Sequence, residues 1–337
     1  MGDNFPVREV GGSNRIECLK REVTMANGFP MQAVLTLVAG ALFAGCQPQF
    51  EGEFRHRSVL QRSTQGLVLL DDGSAGHAGM LGTNCPFETD YGMVTGDYDL
   101  PGEDEEVQDI GRHVLGANSI LLVQDHAVHI LNKNDGDYAV ESLDVSQVIG
   151  GRFFDGGVVT VSGGDAGCLV DWFGDQGDGL QVETAGCDAF DVDPIDGTTY
   201  IDTVEGGVRI VTPSGSVDTP VSGDLLAWDA VSEVTYVASL GGDTVDALTP
   251  EGEVRWRTTL SGSIQVLEAA GRRGAAVVML ERPDESGLLV YLDGWTGDEI
   301  SRLETPSAAK GVSVAGNGGS IALVLDDETH FYGVYLD

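Results

Sequence analysis

Apolar and polar residues alternate over short distances through most of the chain, and the apolar runs are brief. Stretches such as NSILLVQDHAVHIL and GTTYIDTVEGGVRIV set β-branched residues between clusters of Gly, Asp, Asn and Pro. Apolar runs of about four to eight residues bounded in this way predict β-strands joined by tight turns. Beyond residue 57 the sequence predicts no amphipathic helix of useful length, so the pattern indicates an all-β protein.

The strands repeat with a period of roughly 40 residues. Two independent sets of equivalent positions give this spacing. The first set is the turn glycine before the last strand of each unit, and the second is the centre of each second strand. The turn glycines are Gly96, Gly136, Gly177, Gly215, Gly252 and Gly297. The second-strand centres are Ile120, Val158, Tyr200, Tyr236, Val277 and Ala322. Such a period with about four strands per unit predicts a β-propeller.

The last repeat predicts how the ring of blades closes. It stops inside HFYGVYLD, a third strand without a fourth, and HRSVLQRS from His56 to Ser63 is placed to complete that sheet. A closing N-terminal strand would cover an otherwise exposed sheet edge. The repeats and this closure predict seven four-stranded blades, and six or eight remain open because residues 64–105 are irregular.

A different pattern precedes the strands. Residues 33–44 form one apolar run just before Cys46, and the positively charged Arg15, Lys20 and Arg21 lie upstream. About 20 apolar residues are needed to span hydrocarbon, whereas about a dozen fit the apolar part of a secretory signal. A plain cleaved secretory signal and a buried helix of the fold are two interpretations of this run.

The end of this run, LFAGC, resembles the lipobox of bacterial lipoproteins, in which small residues precede a cysteine that takes up lipid. The resemblance implies a cleaved signal peptide over residues 1–45, lipid on Cys46, a lipidated tether over 46–57 and a propeller domain over 58–337. Several acyl chains on one residue would anchor the protein stably. Gln47 follows the cysteine, and the same resemblance then implies the outer membrane of a bacterial envelope.

The charge of the chain argues against two kinds of partner. The sequence has 54 Asp and Glu residues against 18 Lys and Arg residues, a formal net charge of −36 at pH 7. Such a surface repels phosphate backbones and anionic lipid headgroups. We therefore expect no nucleic-acid binding, and we expect any membrane attachment to come from the lipid predicted at Cys46.

Two segments resemble the repeats of known propeller families. ALTPEGEVRW, Ala247–Trp256, resembles the PQQ-like repeat, and DVDPIDGTTYIDT, Asp191–Thr203, resembles the turn of NHL-like blades. Of the four tryptophans only Trp256 fits the PQQ-like pattern. The resemblance implies an envelope scaffold that binds a protein or peptide partner without catalysis. The alternative is a hydrolase, lyase or quinoprotein that acts on a small molecule or polysaccharide at the axial channel.

The sequence contains no G-x-S-x-G nucleophile elbow, no H-E-x-x-H zinc motif and no P-loop lysine motif. It therefore predicts no catalytic and no cofactor-binding residue. The candidate metal ligands are Asp191, Asp193 and Asp196 in DVDPIDG, because closely spaced carboxylates suit Ca²⁺. In an EF-hand loop, however, the third acid and the glycine would each come one residue earlier. A simple Asp-Gly turn between the first and second strands of a blade explains the same residues without a cation.

The cysteines fit an exported protein. Cys18 would leave with the signal and Cys46 would carry lipid, so the mature domain would keep Cys85, Cys168 and Cys187. Three cysteines allow one disulfide with one thiol left over. Cys168 and Cys187 lie in neighbouring blades and are the predicted pair, and buried free thiols are the alternative.

Overall fold

The computed structural model describes residues 147–336 apart from 165–166, 175–179, 185–186, 188, 204–206, 316–317 and 327, and upstream of residue 147 it describes strands alone. The predicted signal segment, Cys46 and Cys85 lie outside the described residues. Within them the one helix is a short 3-10 turn, Gly271–Arg273. No described helix is long and apolar enough to span a membrane.

The described strands form seven antiparallel sheets of four strands, which we number in chain order. Sheet 1 contains β2 (Val68–Leu69), β3 (Ser74–Gly76), β4 (Pro86–Thr89) and β5 (Gly92–Thr95). Sheet 2 contains β6 (Asp109–Arg112), β7 (Ser119–Val123), β8 (Ala127–Asn134) and β9 (Asp137–Asp144). Sheet 3 contains β10 (Val148–Phe154), β11 (Gly157–Gly164), β12 (Gly167–Gly174) and β13 (Leu180–Thr184).

The remaining four sheets follow the same order. Sheet 4 contains β14 (Phe190–Val192), β15 (Thr199–Asp202), β16 (Val208–Thr212) and β17 (Gly215–Asp218). Sheet 5 contains β18 (Leu225–Asp229), β19 (Val234–Ala238), β20 (Thr244–Leu248) and β21 (Val254–Thr259). Sheet 6 contains β22 (Ser263–Ala269), β23 (Ala275–Glu281), β24 (Gly287–Asp293) and β25 (Glu299–Thr305). Sheet 7 contains β26 (Gly311–Val314), β27 (Ser320–Val324), β28 (Thr329–Leu336) and β1 (Gly52–Leu60).

The sheets are arranged in a ring. The first strand of each sheet contacts the first strand of the next, from β2 round to β26, and β26 contacts β2. The predicted closure is confirmed, because the N-terminal strand β1 pairs with β28 from Gly52 opposite Leu336 to Leu60 opposite Thr329. The strand begins at Gly52 rather than at His56, so it includes residues that the sequence assigns to the tether. Phe54 explains this earlier start, since its ring packs edge-on against Tyr291 at 5.4 Å.

All six predicted second-strand centres lie in second strands of the structure. They lie in β7, β11, β15, β19, β23 and β27, each the second strand of its sheet. The prediction that Gly96 lies in the turn before a fourth strand is wrong, because the fourth strand of sheet 1 ends at Thr95. The residues at the strand centres follow the period more faithfully because they belong to the core: Val158, Tyr200, Tyr236, Val277 and Ala322 are at most 2% exposed.

The core lies between the faces of neighbouring sheets. On β23, Val278 and Leu280 pack towards sheet 5, whereas Val277 and Met279 pack towards sheet 7. All four are essentially inaccessible to solvent. A strand buried on both faces needs a continuous apolar run, which is why AAVVML does not alternate. Each fully buried side chain of this size contributes about 1.5 to 3 kcal/mol of transfer free energy.

Two buried tryptophans fasten one sheet to the next. The indole N–H of Trp172 on β12 donates to the carbonyl of Gly197 in sheet 4 at 2.7 Å. The indole N–H of Trp256 on β21 donates to the carbonyl of Gly294 in sheet 6 at 2.9 Å. Gly197 has a φ of 77°, and a Cβ there would lie 3.0 Å from the Trp172 ring, so only glycine allows this approach.

Candidate functional site

Three of the seven large exposed apolar side chains among the described residues lie on turns at one end of the sheets. In an antiparallel sheet the turn between strands one and two lies at the same end as the turn between strands three and four. Ile195 and Val231 lie in turns between strands one and two, in sheets 4 and 5, and Trp295 lies in the turn between strands three and four of sheet 6. They are 52%, 40% and 55% exposed, respectively. The other large exposed apolar side chains in the described residues are Ile149, Val217 and Val254 on strands and Leu240 on a loop at the opposite end.

Val231, Arg255 and Trp295 form a continuous surface, which we call the Trp295 patch. The guanidinium of Arg255 lies over the Trp295 ring, 4.9 Å from its centroid, and donates to the carbonyl of Ser232. A Cβ at Gly274 would lie 3.0 Å from Cγ1 of Val231. The amide of Gly294, next to Trp295, donates to the Gly274 carbonyl at 2.8 Å. The patch therefore spans the junction of sheets 5 and 6.

A buried carboxylate supports the patch from below. Oδ2 of Asp229 accepts hydrogen bonds from the hydroxyls of Ser232 at 2.6 Å and Tyr236 at 2.5 Å. Its Oδ1 accepts from the amide of Val231 at 2.9 Å. Burial raises the pKa of Asp229, and these hydrogen bonds oppose that rise. The network fixes the turn that presents Val231 and the Ser232 carbonyl, so the position of Arg255 is set by the interior.

The turn that carries Trp295 is held equally firmly. Oδ1 of Asp293 accepts from the amides of Trp295 and Thr296, both at 2.9 Å. The amide of Gly297 donates to the Asp293 carbonyl at 2.8 Å. The indole is therefore presented on an ordered turn, and little conformational entropy would be lost when a partner covers it.

Two of the candidate metal ligands, Asp193 and Asp196, lie in the first turn of sheet 4, and Asp191 lies on β14 just before it. All three accept hydrogen bonds from backbone amides. Oδ1 of Asp193 accepts from the amide of Ile195 and Oδ1 of Asp196 from that of Thr198, both at 2.8 Å. Asp191 accepts from the amide of Trp228 in sheet 5 at 2.6 Å and lies 3.6 Å from Arg152 of sheet 3. Among the described residues no group of three or more His, Cys, Asp and Glu side chains is arranged to hold a metal ion.

Asp191 and Asp193 have different structural consequences. Asp191 joins the first strands of three successive sheets, because Arg152 lies on β10, Asp191 on β14 and Trp228 on β18. Asp193 is half-buried, and desolvation raises its pKa to about 6, with the charges of Asp196 and Glu233 adding to the rise. One of the predicted ligands thus stabilises the ring, and another is an acid with an unusual titration range.

The predicted cysteine pair is joined in the structure. Cys168 on β12 and Cys187 before β14 form a disulfide with a Cα–Cα distance of 5.9 Å. Both cysteines are buried against Trp172 and Val192. The bridge covalently links sheet 3 to the segment that enters sheet 4.

Comparison with known proteins places the fold. No family model matches the sequence, and no curated protein matches it. The WD40 repeats of RRP9 superpose with a TM-score of 0.63 at 11% identity, covering 84% of this chain and 98% of that chain. A chain of the mitotic checkpoint complex gives 0.62 at 11% identity, covering 83% and 96%. Virginiamycin B lyase from Staphylococcus aureus gives 0.57 at 10% identity, covering 84% and 99%.

The chain folds as a WD40-like β-propeller. Identities this low show the fold alone, so neither the checkpoint-complex chain nor the lyase among these structures assigns an activity to this propeller. Its four-stranded blades, its ring of first strands and its closing strand β1 all belong to that fold.

The sequence did not predict the Trp295 patch of the propeller. Arg255 and Trp295 are 40 positions apart and meet only because sheets 5 and 6 pack together, and no motif records that contact. One signal was present: Trp295 stands inside DGWTGD, a turn sequence in which a buried indole is not expected. An aromatic residue at the centre of a turn is therefore the feature that identifies this surface.

Proposed function

We propose that this propeller is a non-catalytic scaffold that binds a protein or peptide partner through the Trp295 patch. The observation that carries the proposal is an indole with 55% of its surface in solvent, held on an ordered turn and stacked against Arg255. Trp and Arg are the residues that most often dominate the energy of protein interfaces. A partner that covers them gains buried apolar area without first having to order the site.

The structural comparisons support the same proposal. One similar propeller belongs to the mitotic checkpoint complex, which is an assembly of proteins. Another was solved as BBS1N in complex with ARL6DN, with a TM-score of 0.60 and 10% identity. Propellers of similar fold are thus found in complexes with protein partners.

We further propose that the scaffold is anchored by lipid on Cys46 in the outer membrane of a bacterial envelope. The support is the segment LFAGC and the apolar run before it. A net charge of −36 opposes direct adsorption to anionic lipid, so a covalent anchor supplies what the surface does not.

The proposal is tested by affinity capture of the native protein from its own membranes. We expect a protein partner that the wild type captures and Trp295→Ala loses. Leu240→Ala is the matched control, because Leu240 is 57% exposed on a loop between second and third strands, at the opposite end of the sheets. Equal capture by Trp295→Ala, or turnover of a substrate by the purified protein, would overturn the scaffold.

The anchor is tested in the same preparation by mass spectrometry of the N-terminal peptide. A peptide that begins at Cys46 with acyl chains attached supports it. An unmodified chain that extends upstream of Cys46 excludes it, whatever the result for the patch.

A further inference from the structure

Three exposed carboxylates lie close in sequence to the residues of the Trp295 patch. Glu233 follows Ser232 in the first turn of sheet 5, Glu253 precedes Val254 on the outer strand of that sheet, and Asp298 closes the turn that carries Trp295. None of them forms a salt bridge within the described part of the chain. These neighbouring positions therefore carry negative charge that nothing in the described fold neutralises.

The cation within the patch is already engaged. The guanidinium of Arg255 bonds to the Ser232 carbonyl and lies over the Trp295 ring, so it belongs to the floor of the site. Its charge is outnumbered by these three carboxylates and by the net charge of −36. A partner approaching this surface meets an apolar centre within a negative field, and such a field accelerates the association of cations and repels anions.

We propose that the occupant of the Trp295 patch is a positively charged peptide segment with an aliphatic side chain at its centre. This inference rests on the proposed scaffold function and specifies the chemistry of its partner. The aliphatic side chain packs on Trp295 and Val231, and Lys or Arg residues on either side meet Glu233, Glu253 and Asp298. Hydrophobic burial then supplies the affinity and the carboxylates supply the selection against acidic segments.

The test uses synthetic peptides and the intrinsic fluorescence of Trp295. The other three tryptophans, Trp172, Trp228 and Trp256, are at most 9% exposed, so acrylamide quenching reports mainly on Trp295. The probe is a peptide of alternating lysine and leucine. Its counterparts replace every lysine by glutamate or every leucine by serine. We expect the lysine–leucine peptide alone to shield Trp295 from quenching, with an affinity that falls as salt rises.

Variants distinguish specific binding at the Trp295 patch from nonspecific attraction of a basic peptide to an acidic protein. By fluorescence anisotropy, Trp295→Ala should weaken the lysine–leucine peptide about tenfold, which corresponds to about 1.4 kcal/mol. Glu233→Gln and Glu253→Gln should each weaken it about threefold, and Leu240→Ala should leave it unchanged. Equal binding to the wild type and to Trp295→Ala would overturn the inference, because charge alone would then explain the affinity.

The captured partner separates the two proposals. A partner that depends on Trp295 but engages the patch through an acidic or uncharged segment would overturn this inference and leave the scaffold function intact. A partner whose capture ignores Trp295 would overturn the scaffold function at the patch. A basic, leucine-containing segment protected by the patch would support both.

Discussion

Sheets 4 and 5 carry the same short pattern, an aspartate at the end of the first strand followed after five residues by Thr-Tyr at the start of the second. In sheet 4 the pattern is Asp193 with Thr199-Tyr200, and in sheet 5 it is Asp229 with Thr235-Tyr236. Both tyrosines are completely buried. The two aspartates nevertheless differ in environment, and the difference shows how one turn residue redirects a repeated motif.

In sheet 5 the residues of the motif form hydrogen bonds with one another. Tyr236 and Ser232 both donate hydroxyl hydrogen bonds to Asp229, and Tyr236 packs against Trp256 of its own sheet at 5.7 Å. In sheet 4 the ring of Tyr200 instead stacks on Trp228 of the next sheet at 5.1 Å. The hydroxyl of Tyr200 has no hydrogen bond to Asp193. The motif of sheet 5 therefore stabilises its own first turn, whereas the motif of sheet 4 packs sheet 4 against sheet 5.

The residue at the fourth position of the motif accounts for the difference. Sheet 5 has Ser232 there, a hydroxyl donor, whereas sheet 4 has Asp196, whose carboxylate cannot donate when ionised. A second carboxylate in the turn of sheet 4 adds its charge to that of Asp193 and raises the pKa of Asp193 further. Asp193 therefore stays half-exposed, while Asp229 is buried with its donors.

The largest expected contrast is between the two tyrosines. Tyr236→Phe removes a donor from a buried carboxylate and should lower the free energy of unfolding by about 2 kcal/mol. Tyr200→Phe keeps the stack on Trp228 and should change it by less than about 0.5 kcal/mol. Urea unfolding followed by circular dichroism measures both. Equal losses would show that the Asp229 network contributes nothing beyond packing.

A second contrast concerns pH. Because desolvation raises the pKa of Asp193 from 3.8 to about 6, the folded chain holds this proton more tightly than the unfolded chain. The contribution of Asp193 to stability therefore falls as pH rises from 3.8 to about 6. Asp193→Asn should match the wild type below that window and exceed it above by about 1 kcal/mol, after allowance for solvent screening.

The control for this prediction is Asp298→Asn, which removes one negative charge from an exposed position. It should shift the whole stability profile slightly without flattening it between pH 4 and 6. If both variants flatten the profile equally, the net charge of the chain and not the burial of Asp193 sets the pH dependence.

The fold was predictable because its signal is repeated. Tyr200 and Tyr236 lie in second strands, as the sequence predicts, and both are completely buried because a second strand has sheets packed on both of its faces. The closing role of β1 was predictable because the last unit lacks a fourth strand. The Trp295 patch was not, because Arg255 and Trp295 meet through packing between sheets, and periodicity within a sheet carries no information about such a contact.

The smallest expected effect tests the turn residue itself. Asp196→Ser gives the turn of sheet 4 the hydroxyl that sheet 5 has, and it removes a carboxylate that raises the pKa of Asp193. We expect the pKa of Asp193 to fall, with a stability gain at neutral pH of a few tenths of a kcal/mol, about the range of surface substitutions. A carboxyl titration followed by NMR measures the shift. Glu233→Gln should move it in the same direction, because the charge of Glu233 also raises this pKa, whereas Glu253→Gln should not. If Asp196→Ser left the titration of Asp193 unchanged, the charge of Asp196 would not contribute to the raised pKa, and the residue at the fourth position would not explain how the two motifs differ.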